Sequence, residues 1–594
     1  GDFYHGTRRT FSSTNVGYLD VPASLQQISG YAENAANTFT VKDNYNRLQL
    51  NGDLTWFANF KGDHAFKVGA QFERLGNDVN NGAQFPSIAF SWNASYNTLS
   101  NTTVRGTYGY YTVSQRYTVG AIHSNNIGVF AQDQWTLNNK LSINYGVRAE
   151  KETVPSYRAE NPSLTFGWSS KIAPRIGFAY DINGDSKWKT YGSFGFFYDV
   201  FKLELPRGAW GAEHWIDYIY LLNDYNWNTI DCNGVPGASP ACRGTFVEQN
   251  DRRHVSNGTG AENLVDPGLD PVKTGEFTLG MDHELNKTMS LGVRYAHKWF
   301  METIEDVGVI VPGVGEVFYI ANPGKGLGEY PLGKSFPATP RPVRNYDGVE
   351  LVLRKRLSNN WQATTSFLVS RLKGTYSGLA NSDEGARTSP GVTRLYDGLY
   401  MNFDQKGNVI NGRLQSDRPY QFKFQGSYNF AWGTSVGVNF NASSGTPQTS
   451  QVTYQGVPVD VFGRGDLGRS PMLSQTDLLI SHDLNLPRHT RLSLQVNVTN
   501  LFDQMTWTSI GTSPEKAGSG WKSLSSTTSV TPRMKIDAPM VMMMIVTTEA
   551  PPGRRSAGST AKRSSAQPTK AATATAPRMA SGSAMPADSR AKVV

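Results

Sequence analysis

Hydrophobic and polar positions alternate strictly along much of this chain. Across Leu141–Glu150, Leu141, Ile143, Tyr145, Val147 and Ala149 occupy one parity; Ser142, Asn144, Gly146, Arg148 and Glu150 occupy the other. A period of two marks a strand, because successive side chains leave opposite faces of a pleated backbone. Ile127–Trp135 is strand-like as well, and Asn138-Asn139-Lys140 between the two is a tight turn of residues that tolerate positive φ. The result is a hairpin with arms of about ten residues, the length that crosses a bilayer core when tilted. An apolar face against a polar one suits a wall between lipid and a wet interior, with Ile143 expected near the midplane.

The same pattern recurs in Leu48–Glu73, Ile172–Asp199, Glu276–Trp299, Val349–Arg371, Gln421–Asn441 and Leu478–Thr499, giving seven hairpins and fourteen strands. Turns inside the hairpins are short. The segments between them run roughly 20 to 75 residues, far beyond ordinary loop lengths. Strict alternation of short and long connections is the habit of an outer-membrane barrel, with short periplasmic turns and long external loops. The expected fold is therefore all-β: a transmembrane antiparallel β-barrel.

Several stretches resemble the barrel of TonB-dependent outer-membrane receptors. They are Phe130-Ala-Gln-Asp-Gln-Trp135 with Gly146-Val-Arg-Ala-Glu150, Ala173-Pro-Arg-Ile-Gly-Phe-Ala-Tyr180 with Tyr191–Asp199, Asp266-Pro-Gly-Leu-Asp-Pro271, and Asn497-Val-Thr-Asn-Leu-Phe-Asp503. The pattern is most similar to the Oar-like group, whose members carry a carboxypeptidase-regulatory-like domain before the plug. The resemblance covers residues 1–510. It implies uptake across the outer membrane of a Gram-negative cell, with a plug inside the barrel and an inner-membrane TonB complex pulling on an N-terminal box. Neither plug nor box is visible here, so the barrel is expected to be incomplete. The implied partners are outer-membrane lipid, the TonB complex and a small-molecule, glycan or peptide substrate. A porin-like barrel or adhesin without energy coupling, and a secreted soluble polysaccharide-binding β-protein, are the competing classes.

Charge changes the picture at one place. The net charge is +8, yet residues from Gly511 onward hold 12 Lys+Arg against 4 Asp+Glu, and the preceding 510 residues are neutral. The basic balance belongs to the tail and does not point to nucleic acid. After Trp521 there is no aromatic and no Asn, only an Ala/Ser/Thr/Pro/Lys/Arg-rich run with a Met cluster. Residues 511–594 therefore read as a low-complexity tail, disordered or frame-shifted, standing where closing strands are due. No run reaches the roughly 18 apolar residues of a membrane helix; Met540–Val546 is too short.

Candidate chemistry is sparse. Gly463-Arg-Gly-Asp-Leu-Gly468 fits G-x-G-x-x-G but lacks a following helix and reads as a loop. Asp181, Asn183 and Asp185 begin like a calcium loop without its Gly and Glu, and read as a turn. No catalytic residue, metal ligand set or cofactor site emerges. Trp210, Trp215, Tyr218, Tyr220, Tyr225 and Trp227 form an aromatic segment that either stacks a sugar or apolar ligand or folds over the barrel rim. Ser142, Asn144, Arg148, Glu150, Arg294 and Lys298 are expected to face the lumen, the charged ones as channel lining, salt-bridged lumen filling or plug contacts. Cys232 and Cys242 stand ten apart, favouring a disulfide in an oxidising compartment over two free thiols.

Overall fold

The structure, a computed structural model, describes residues 7–34, 38–157, 163–201, 203, 207, 213–232, 242–251, 265–311, 315–329, 338–378, 396, 399–454, 457–487, 490–506 and 540–548. The sequence pattern resolves into one antiparallel meander of long strands. In chain order they are β1 (Thr38–Asn59), β2 (Asp63–Trp92), β3 (Gly109–Thr136), β4 (Leu141–Val154), β5 (Leu164–Asp181), β6 (Trp188–Tyr198), β7 (Lys273–Asn286) and β8 (Met289–Glu302). Then come β9 (Arg344–Ser358), β10 (Trp361–Gly374), β11 (Tyr420–Asn429), β12 (Thr434–Ser443), β13 (Leu473–Leu486), β14 (Thr490–Val498) and β15 (Met540–Thr548). Each pairs with its neighbours in sequence, and among the described residues β1 and β15 are not paired with each other, so the sheet is open. All seven hairpins are present, several longer than their periodic cores: β2 and β3 run 30 and 28 residues, well past a bilayer's thickness.

Register keeps the two parities apart across the whole sheet. Phe72 lies opposite Ile127, Ala131 opposite Val147, Ile176 opposite Phe194, Phe194 opposite Phe277, and Leu351 opposite Phe367. These side chains share one face, and many of them, including Leu54, Val129, Val147, Ile176 and Leu351, are exposed. An exposed apolar belt of this extent is a lipid-facing surface. Beside the short turns it ends in aromatic rings: Trp56, Phe60, Trp135, Trp188, Trp361 and Trp432. Ile143 lies opposite Trp135 in this girdle. The expectation of a midplane position is corrected: Val147, four residues further on, sits deeper in the belt.

The turns follow their residues' backbone preferences. Asn359 and Asn360 both take positive φ (51° and 69°), the mirror-image turn that matches strand twist. Gly62 sits at φ 120°, where a Cβ would strike the Thr136 carbonyl, while Trp135 donates its indole N–H to Lys61 O at 3.0 Å.

Two outcomes differ from the sequence reading. Met540–Thr548, inside the segment expected to lack order, is a strand paired along its length with β14. An apolar run too short for a membrane helix is the right length for a strand. The long connections also carry elements of their own. Arg8–Phe11 pairs in parallel with β2, Glu213–Leu222 pairs with β3 and Phe246–Asp251, and Glu305–Val311 pairs with Gly315–Ala321.

Candidate functional site

The polar face of the meander is a continuous surface able to meet a hydrophilic solute. Ser142, Asn144, Arg148 and Glu150 lie on it through the parity of β4, and Arg294 and Lys298 through the parity of β8. Its charges are tied together within and across strands. Arg148 donates from Nε to Glu150 at 2.5 Å and from Nη2 to Gln71 at 2.8 Å; Asn126 donates to the other Glu150 oxygen. Arg294 pairs with Glu350 and Lys298 with Glu276, each at 2.7 Å, and Arg47 with Glu73 at 2.9 Å. Cross-strand pairs like these hold side chains against the wall rather than across the interior.

Two concavities lie along the wall. One, about 630 Å³, is lined on its polar side by Gln132, Asn144, Arg148, Arg175, Tyr191 and Ser193. Arg175 stacks on Phe197 at 4.4 Å. The other, about 570 Å³, is lined by amides and hydroxyls, among them Gln362, Thr364, Gln425, Asn439 and Asn497, with Asp477 as its carboxylate. Asp477 accepts from Asn439, Gln475 and the Asn500 backbone. One sector of the face is thus charged and the other mostly neutral and hydrogen-bonding. Gln71, Arg175 and Asp477 were not singled out from sequence; applying the parity rule strand by strand would have found them.

The aromatic candidates go elsewhere. Tyr218, Tyr220 and Trp227 are buried with Phe11, Phe90, Trp92 and Tyr111 in a core above the wall. Tyr220 stacks on Tyr111 at 5.2 Å, and Trp227 meets Phe11 edge-on at 5.0 Å and donates to Leu25 O. Tyr225 is half-buried against Tyr108. Trp215 belongs to the strand Glu213–Leu222, opposite Arg116, and Trp210 lies outside the described residues. The described rings form a packed cap, so of the two alternatives left by the sequence they are nearer to folding over the rim than to an open stacking surface; aromatic density marks a core as readily as a binding face. A Cys232–Cys242 disulfide closes the same cap.

Outside the wall, Tyr108 donates to Asp20 at 2.6 Å, and that bond to a carboxylate, with a smaller burial effect, pushes the phenol up to about 12. Lys171 and Glu152 form a fully buried pair; Lys171 also donates to Asp199 O, and Glu152 accepts from Phe201 N, fixing the start of the connection after β6. The G-x-G-x-x-G stretch is a run of turns with Gly463, Gly465 and Gly468 all at positive φ, and Asp181 accepts from Gly184 N and Ser186 N as a turn residue does. Among the described residues no group of three or more His, Cys, Asp or Glu is placed to hold a metal ion.

The family model for the outer membrane beta barrel domain matches residues 6–169 and 153–438. Over 502 residues the chain is 27% identical to the TonB-dependent transporter Oar of Myxococcus xanthus, covering 80% of this chain and 45% of the relative. It therefore spans less than half the length of that relative. Among solved structures it is similar to the outer membrane transporter YddB from Escherichia coli, with 12% identity, TM-score 0.49, and 85% and 55% of the two chains covered. It is also similar to the ferripyoverdine receptor of Pseudomonas aeruginosa, with 14% identity, TM-score 0.42, and 79% and 46% covered. These relatives are transporters and receptors rather than enzymes.

Proposed function

The chain belongs to the outer membrane beta barrel domain family and is an outer-membrane wall, and from that premise we propose that it is the barrel part of a TonB-dependent transporter. The identity to the Oar transporter along 502 residues carries this reading. In it, Ser142, Asn144, Arg148, Glu150 and Arg294 line the lumen, the short turns face the periplasm and the long connections face outward. Residues 1–510 form the main part of the barrel unit, and the strand Met540–Thr548 extends its sheet. The TonB complex acts through a plug and box, and the solute is a small molecule, glycan or peptide. The cross-strand ion pairs support a lumen that is wet and open, because they keep charged side chains flat against the wall.

The test compares depletion of solutes from the medium by wild-type cells, cells lacking this locus and cells lacking TonB. At least one solute consumed by the wild type and left by both mutants is expected. Uptake that needs the locus but not TonB would replace the proposal with a porin-like barrel. A soluble polysaccharide-binding protein is set aside by the family and by the exposed apolar belt.

A further inference from the structure

The apolar face of β9–β11 carries a cluster of cations just past the end of its belt on the side away from the short turns. Val349, Leu351, Phe367, Val369 and Tyr420 are all exposed there, and Tyr420 lies parallel to Phe367 with ring centres 6.4 Å apart. Two and four residues beyond Val369 on the same face stand Arg371 and Lys373. Arg413 is the direct cross-strand partner of Lys373 and is more than half exposed. Neighbouring strands lie about 4.8 Å apart and same-face residues about 7 Å apart along a strand, so the three cations converge within the span of one headgroup.

Their charge is only partly offset locally. Among the described residues no close ion pair holds Arg371 or Lys373, and Arg371 is attracted at longer range by the Asp347 carboxylate across the strand pair. Asp347, opposite Arg371, accepts at Oδ1 from the Tyr295 hydroxyl at 2.7 Å and meets His297 Nδ1 at 2.8 Å. Arg413 pairs at 3.3 Å with Asp417, whose carboxylate is buried and already holds Arg469.

We propose that this patch seats a phosphorylated lipid, its phosphate on Arg371, Lys373 and Arg413 and its acyl chains along Val369, Phe367 and Tyr420. The proposal rests on membrane placement alone and holds whether or not transport is TonB-coupled. Charge complementarity selects the headgroup: guanidinium and ammonium groups bind phosphate oxygens by charge-assisted hydrogen bonds. Contiguity with the belt selects a lipid over a soluble anion, since apolar chains below the cations have a surface ready to receive them.

The full chain in neutral detergent micelles is incubated with equal mole fractions of phosphatidic acid or of diacylglycerol with the same acyl chains, and bound lipid is counted by mass spectrometry after gel filtration. Phosphatidic acid should be retained and diacylglycerol not. Arg371→Gln/Lys373→Gln should lower phosphatidic acid retention about tenfold or more, while Arg371→Lys keeps most of it and Lys151→Gln, on the apolar parity of β4, changes nothing. Equal retention of both lipids, or equal retention by the double variant with its unfolding transition unchanged, overturns the proposal. So does displacement by inorganic phosphate as effective as by phosphatidic acid.

Discussion

Arg148 reaches Gln71 only because residue 128 is glycine. Gln71, Gly128 and Glu150 stand in one cross-strand row of β2, β3 and β4, and the Arg148 guanidinium lies over Gly128 where a Cβ would be. Gly128→Ala must push the guanidinium aside and release its bond to Gln71. Because the displaced atoms end a flexible side chain, the loss is expected to be about 1 kcal/mol, a single hydrogen bond. Urea unfolding in lipid measures it, and Gln71→Leu should cost a similar amount, with the double variant less than additive.

The wall assignment predicts costs that depend on depth and on face. Val147→Arg, in the belt, should destabilise by about 2–4 kcal/mol, and Ile143→Arg, in the girdle, by about 0–1 kcal/mol. Asn144→Arg, on the polar face, should cost little. Refolding into vesicles ranks the three; equal costs at Val147 and Asn144 would contradict the face assignment.

Lys171 and Glu152 are each inaccessible to solvent and hold one another. Removing one leaves the other's charge uncompensated, so Lys171→Met should cost about 3–5 kcal/mol. Lys171→Met/Glu152→Gln should recover part of that. A double variant less stable than Lys171→Met would mean that the pair is not the source of the effect.

Alkaline pH should loosen the cap at Tyr108. Its hydrogen bond to Asp20 raises the phenol from its ordinary value of 10.0 to about 12 in the folded chain. A raised pKa means the neutral phenol is favoured by folding. The stabilisation is full below the unfolded value near 10 and is lost as pH rises through about 12. Absorbance titration of tyrosinate should therefore lose a group titrating near pH 12 in Tyr108→Phe, while the buried tyrosines of the cap still titrate late. An unchanged titration curve in that variant would refute the coupling.

The cap should also depend on Cys232–Cys242. Intact-mass analysis of protein taken from the outer membrane and alkylated without reductant should find both cysteines unmodified. Cys232→Ser/Cys242→Ser should lower the cap's resistance to protease while leaving β4–β14 protected, because the bond closes only residues within the cap. Two alkylated thiols in the native protein would exclude the bond.

The chain's own pattern determined the wall. Strict parity in Leu141–Glu150 and its six counterparts, with turn residues between, dictates which side chains share a face, since a strand offers only two. That rule by itself put Arg148 and Arg294 opposite Val147 and Val293. It could not set depth, because depth depends on stagger between strands: only the pairing of Ile143 with Trp135 put that residue in the girdle. Nor could it say where the aromatics of the long connections go. Tyr218, Tyr220 and Trp227 find their neighbours in Phe11, Phe90 and Trp92, more than a hundred residues away, and such meetings leave no local period to read. The same holds for Met540–Thr548, whose composition alone suggests neither helix nor wall. It becomes a strand because the edge of β14 offers it a row of backbone hydrogen bonds, and an edge is a property of the assembled sheet.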